Sequence, residues 1–167
     1  MIYRIPITDE PLDQGDLLDD CPVATITDHD WDRSEQAKVD IDFHRVIVLT
    51  QTCDFANAKV NLITVASVFA AQQMIEHGIL KAADVKGPIR ASRVWGLYFL
   101  PAFPDAGLGE MIVDLRRLHS VRLDVLGRLR LAGKRHAQLL TPYREHLAKH
   151  FADTYSRIGL PQPYEAT

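Results

Sequence analysis

One run constrains this chain more than any other: His44-Arg45-Val46-Ile47-Val48-Leu49-Thr50. It is rich in β-branched residues and almost wholly apolar, so it calls for burial on both faces and a central place in a sheet. Strand alternation sorts its side chains. Asp42, His44, Val46, Val48 and Thr50 face one way, and Arg45, Ile47, Leu49 and Gln51 the other. Asp42 is then close enough to His44 to orient its imidazole. Cys53 and Asp54 lie beyond the strand, where a loop can present them to solvent.

The other elements arrange themselves around this strand. Ile2 to Ile7 reads as a short strand, followed by a turn at Gly15-Asp16 and a strand over Cys21 to Thr27. Residues 28–39 are polar and read as a loop with one Trp. Val60 to Val65 reads as the partner of the central strand across a wide loop. A helix is expected between Ser67 as N-cap and Gly78 as the C-terminal stop, with Val68, Phe69, Ala71 and Ile75 at helical spacing. Val94 to Leu100 is a further strand, and Glu110 to Leu115 with His119 to Leu123 resembles a meander pair. Thr141 and Pro142 open a C-terminal helix whose stripe is Tyr143, Leu147, Phe151 and Tyr155, closed by Gly159 and Pro161. The expected fold class is α+β in a single domain spanning 1–167.

A chain of 167 residues buries roughly two thirds of its unfolded surface, so no staple is required. Two cysteines, Cys21 and Cys53, are too few for a disulfide scaffold. Asp9, Glu10 and Asp13 interrupt the first residues, so no secretory signal is expected, and no run is apolar enough for a membrane helix. The expected setting is reducing and cytoplasmic, without a membrane partner.

Reactive residue types concentrate between Asp40 and Asn57. In one reading Cys53 is a nucleophile with His44 as its base, a cysteine-dependent hydrolase. In a second, Cys21, Cys53 and one or two of His29, His44 and His119 hold zinc. These residues offer no CxxC or HxxxH pair, and no metal or cofactor is expected. In a third, Cys53 packs and its neighbours satisfy turn hydrogen bonds. His146 and His150, at i and i+4 beside Arg144 and Glu145, read mainly as a solvated helix face. Arg116, Arg117, Arg122, Arg128, Arg130, Lys134 and Arg135 form a basic stretch in a chain of net charge −3. Such a stretch is suited to tracking phosphates, or is an ordinary surface balanced by the acidic N-terminal third.

The order of these elements resembles the MazF/PemK family of bacterial endoribonuclease toxins. Gly15-Asp16 is similar to the family's Gly-Asp near its first barrel strand. His44-Arg45 followed by an apolar run matches its His-Arg-Pro strand, with Val46 in place of the proline. Leu62 to Ser67 matches the next strand, Val113-Asp114-Leu115-Arg116 to Val121 a later Asp and basic strand, and Pro142 to Ile158 the closing helix. The resemblance implies a small, twisted, half-open β-barrel with an inserted helix over 67–85 and a C-terminal helix, cutting single-stranded RNA without a metal. Arg45 is the position of its phosphate-stabilising arginine. The family's catalytic Thr is replaced near Val68, with Ser67 the nearest hydroxyl.

Two functions follow as expectations. One is a barrel acting on single-stranded RNA, with Arg45, His44, Asp54 and Cys53 as the catalytic set and Arg116, Arg117, Arg122, Arg128 and Arg130 guiding phosphates. The other is a non-catalytic interaction subunit that meets a protein partner from the same operon through an apolar patch, with a homodimer as a further possibility.

Overall fold

The computed structural model describes residues 1–28, 37–56 and 60–156. Its centre is a seven-stranded antiparallel sheet in the order β1-β7-β2-β3-β4-β6-β5. The strands are β1 (Tyr3–Arg4), β2 (Asp16–Asp28), β3 (Lys38–Val48), β4 (Leu62–Ala70), β5 (Leu97–Leu100), β6 (Met111–Arg122) and β7 (Arg135–Leu139). Five helices accompany them: α1 (Thr52–Ala56), α2 (Ala71–Glu76), α3 (Ala82–Asp84), α4 (Leu123–Leu131) and α5 (Tyr143–Tyr155). A π-helical turn, Val85–Ile89, continues α3. The fold class is therefore α+β. Among the described residues no helix is long and apolar enough to cross a membrane.

The HRVIVLT run is central, as its composition requires. Val46, Ile47, Val48 and Leu49 are all buried, and β3 is flanked by β2 and β4. Alternation divides the core. Ile47 and Leu49 join Leu17, Val68, Val113, Leu139 and the α5 residue Leu147 on one face. Val46 and Val48 join Leu18, Cys21, Val65 and the α4 residue Leu126 on the other. A third cluster shares that second face, where Phe69, Leu97, Phe99 and Ile112 pack under Met74, Val85 and Ile89.

Gly15 explains why the turn before β2 needs glycine. Its N–H donates to Val48 O at 2.9 Å and its carbonyl accepts from Leu139 N at 3.0 Å. Its φ is +88°, and a Cβ would sit 3.1 Å from Leu139 Cβ. Chain passage between two neighbouring strands at that φ excludes a side chain.

Several expectations are corrected. Ser67 is no helix cap, because β4 runs on to Ala70 and α2 starts only at Ala71. The stretch VASVFA is apolar on both sides, so burial on both faces of the sheet overrides the helical spacing. The stop is where expected, with Gly78 at φ +70°. The meander pair over 110–123 is one long strand, β6. Its pairing with β4 jumps from Ala66–Leu118 to Ser67–Asp114, which leaves 115–117 as a bulge. At α5, Pro142 takes the N-cap position, and the Thr141 hydroxyl donates to Glu145 Oε1 at 3.0 Å instead of capping the backbone. Of the expected stripe, Leu147 is buried, Tyr143 and Phe151 pack against the core, and Tyr155 is exposed while its hydroxyl donates to Leu115 O at 2.6 Å. Of the loop expected over 28–39, Asp28 belongs to β2 and Lys38 and Val39 to β3, while 29–36 and the closing Gly159 and Pro161 lie outside the described residues.

The sheet is open: β1 and β5 are its end strands and no ladder joins them. Side chains draw its ends together. The Tyr3 hydroxyl donates to Pro101 O at 2.9 Å, and Tyr3 stacks on Phe103 with ring centroids 5.1 Å apart.

Beyond Cys21 and His44, β2 and β3 pair only with each other and form a projecting two-stranded arm. Pro22, Ala24 and Ile26 stand opposite Phe43, Ile41 and Val39. That face is wholly apolar, with Ile26, Ile41 and Phe43 at 67%, 59% and 70% exposure.

Candidate functional site

The alternation that buries β3 also separates two neighbouring candidates. Arg45 lies on the α5-covered face and His44 on the α4-covered face. Arg45 holds Asp19 with both ends of its guanidinium, Nε to Oδ1 at 2.5 Å and Nη2 to Oδ2 at 2.8 Å. His136 Nε2 is 3.2 Å from the same carboxylate. Burial works against ionising Asp19, but hydrogen bonding and charge from Arg45, with His136 and Lys134 adding, hold its carboxyl below the usual range. The Arg45 charge is thus matched by a fixed partner.

Cys53 and Asp54 sit on α1, past the other end of β3. Cys53 is exposed. Its Sγ is 3.7 Å from Gln51 Oε1 and 3.8 Å from Asp54 Oδ1. Both of these atoms are acceptors. His44, the expected base, engages Ser67 instead. No hydrogen bond or ion pair among the described residues joins Arg45 to Asp54. The adjacent Thr52 hydroxyl donates to Asp13, whose carboxylate also receives Gln138 Nε2 at 2.9 Å and Arg144 Nη1 at 3.0 Å. These bonds anchor α1 to β7 and α5.

Cys21 is buried, and desolvation pushes its thiol up to about 11. Among the described residues no group of three or more His, Cys, Asp or Glu is placed to hold a metal ion. His29 lies outside them.

The site that the fold does assemble joins His44 and His119, grouped in the sequence as zinc candidates, with Ser67, read there as a helix cap. Ser67 Oγ is 2.9 Å from His119 Nε2 and 3.4 Å from His44 Nδ1. The two imidazoles have centroids 5.7 Å apart and are tilted by 42°. Cross-strand register builds the cluster: Ser67 on β4 stands opposite Val46 on β3, and His119 on β6 opposite Val65 on β4. Ser67 is wholly buried, whereas both histidines are half-buried. Desolvation, then the nearby His44 and Arg117, lower the His119 pKa below its ordinary value.

Opposite Ser67 across the bulge lies the buried Asp114. It binds Arg116 through Nε at 2.7 Å and Nη2 at 2.9 Å. Arg117 Nε is 3.7 Å from Asp114 Oδ2, and its guanidinium lies 5.4 Å from the Phe69 ring centroid. A polar strip therefore crosses this face between the cluster under α4 and the cluster under α2.

The basic stretch is largely neutralised by its neighbours. Arg122 and Arg128 both contact Asp124, at 2.9 and 3.4 Å. Arg130 donates to the carbonyls of Thr8 and Glu10, and Lys134 pairs with Asp20 at 2.6 Å. Arg135 is buried against Asp16 at 3.1 Å and also donates to the carbonyls of Ile7, Glu10 and Pro11. Of this stretch, Arg117 acts on His119 electrostatically, and Arg122 shares a hollow with it. No sequence signal linked Ser67 to His44 and His119, because their meeting depends on strand register and on the bulge. Comparison with protein-family models and with curated proteins finds no match for this chain.

Proposed function

We propose that this chain binds single-stranded RNA and cleaves it by acid–base catalysis at His44, Ser67 and His119. The observation that carries this reading is the pair of half-exposed imidazoles held on one buried hydroxyl, with the Arg117 guanidinium on the same face. Transesterification needs a base at the 2′-hydroxyl, an acid at the leaving 5′-oxygen and a cation at the phosphate. His119, kept neutral by burial and by its cationic neighbours, takes the 2′-proton. The 2′-oxygen bonds to phosphorus, the bond to the 5′-oxygen breaks, and His44 in its protonated form donates to that oxygen. The products are a 2′,3′-cyclic phosphate and a 5′-hydroxyl. Ser67 orients both rings, and Arg117 takes the phosphate role that the toxin resemblance gave to Arg45. The drawing together of Tyr3 and Pro101 supports a half-open barrel as the frame.

The test is labelled single-stranded RNA, with its DNA counterpart as control. His44→Gln and His119→Gln should each lower cleavage by about 10²-fold or more, and Ser67→Ala by less. Arg45→Ala should keep most of the activity at a temperature where it stays folded. Intact RNA after prolonged incubation with pure wild-type protein would refute the reading.

The apolar face of the β2–β3 arm favours a second reading, an interaction subunit whose arm meets a protein partner or a second copy. Patches of this kind on a surface mark association sites. Phe43→Lys should then abolish association measured by light scattering or co-purification. A wild-type chain that stays monomeric and purifies alone from its native operon would count against it.

A further inference from the structure

On the other face of the sheet, a cleft runs between the β5 edge and α5. Two hollows make it up. One of about 440 Å³ is walled by Ile2, Phe99, Leu100, Pro101, Leu139 and Tyr143, and by Arg90, which pairs with Glu110. The other, of about 330 Å³, is walled by Lys149, His150 and Asp153. They share Ser92, Tyr98 and His146, so a mainly apolar chamber opens into a polar one. Each volume is in the range of small-molecule sites.

The walls are fixed by bonds that the RNA site does not use. Trp95 Nε1 donates to Thr154 O at 2.9 Å, and the Tyr155 hydroxyl to Leu115 O, so the end of α5 is tied to the sheet. The turn that carries Ser92 is closed by Ser92 N to Ile89 O at 2.9 Å and Arg93 N to Pro88 O at 2.9 Å. Ser92 sits at φ +54°, a conformation that non-glycine residues adopt at a cost and that often marks sites of function. A cleft with fixed walls loses little order when a ligand enters.

His150 lines the polar chamber, and its Nε2, shut off from solvent, has no hydrogen-bond partner among the described residues. A buried polar atom without a partner is costly, and such exceptions call for an explanation. The His150 ring faces Tyr98 at 5.8 Å, and His146 meets Tyr143 edge-on at 6.1 Å. Lys149 is held by Asp153 at 2.7 Å. Two imidazoles, a hydroxyl, an ammonium and the Asp153 carboxylate therefore border one end, and aliphatic and aromatic carbon with Arg90 the other.

We propose that this cleft binds a small amphiphilic carboxylate. Its ring or alkyl body occupies the chamber of Ile2, Leu100, Pro101 and Leu139, and its carboxylate accepts hydrogen bonds from His150 and His146. The imidazoles at that end can donate to a carboxylate, and Lys149 can turn from Asp153 to the ligand. The apolar chamber disfavours a bare ion.

The full chain is titrated with 3-phenylpropionate, followed by NMR of the histidine ring and amide signals. 3-Phenylpropanol serves as the uncharged control and propionate as the control without a ring. The expected result is saturable shifts at His146, His150 and Tyr98, with a dissociation constant of about 1 mM or tighter. Binding should weaken about tenfold or more for either control ligand, and equally for His150→Leu and His146→Gln variants whose melting curves match the wild type. No saturable shift by ~10 mM ligand, equal affinity for the alcohol, or unchanged binding in both variants would overturn the proposal.

Discussion

His44 and Arg45 are consecutive in the chain and lie on opposite faces of the sheet, His44 against Ser67 and Arg45 against Asp19. The consequence is that the residues expected to form one active site belong to two environments. The arginine closes an ion pair on the α5-covered face. The histidine joins a second histidine on the α4-covered face.

That separation predicts a structural role for Arg45. The Arg45 and Asp19 side chains are 30% and 25% exposed, so their charge-assisted bonds are partly shielded from water. Arg45→Ala should lower the unfolding free energy by about 2 kcal/mol. Asp19→Ala should do the same, and the double variant should cost less than the sum of the two. Additive losses in a denaturant double-mutant cycle would contradict a coupled pair.

His119 should leave a signature in pH dependence. Its folded pKa lies below the ordinary histidine value of about 6.5, so the unfolded chain binds the proton more readily. The stability from neutral His119 is therefore fully present above pH 6.5 and lost as pH falls through the folded value. His119→Gln should flatten that part of the stability profile. In the proposed reaction, the acid limb attributable to the base should disappear with the same variant.

Asp16 should act in the opposite sense. Desolvation raises its pKa from 3.8 to about 6, although bonds from Asp13 N and Arg135 pull it down. A raised value means that the stability from protonated Asp16 is complete below pH 3.8 and is lost as pH rises through about 6. The loss is on the order of 3 kcal/mol. Asp16→Asn keeps an oxygen for Asp13 N–H and Arg135, and denaturation curves between pH 4 and 7 should lose this decline.

The two thiols should differ sharply in reactivity. Cys21 is wholly buried with its pKa raised to about 11, whereas Cys53 is exposed. Iodoacetamide should modify one thiol in the native protein, at Cys53, and both in denaturant. Mass spectrometry of digested protein reads the outcome directly. Reaction at Cys53 much faster than at free cysteine near pH 6.5 would revive the hydrolase reading.

The sequence by itself determined the elements whose patterns admit one solution. The HRVIVLT run could only be a central strand, because no exposed face suits a continuous β-branched stretch. Gly15 marked a turn that no other residue could make so close to two strands. Tyr143, Leu147 and Phe151 set the core-facing side of the last helix. Where a pattern fitted two periods, as in VASVFA, burial in the sheet decided, and Ser67 became a strand residue instead of a cap.

The tertiary structure alone decided the site. Ser67 meets His44 and His119 across 23 and 52 residues of chain, and only the β3-β4-β6 register and the bulge in β6 set that meeting. Charge behaved in the same way. Seven cations between 116 and 135 read as a phosphate track, yet folding supplies them with carboxylate or carbonyl partners. Composition counts charges, whereas pairing depends on where distant segments come to rest.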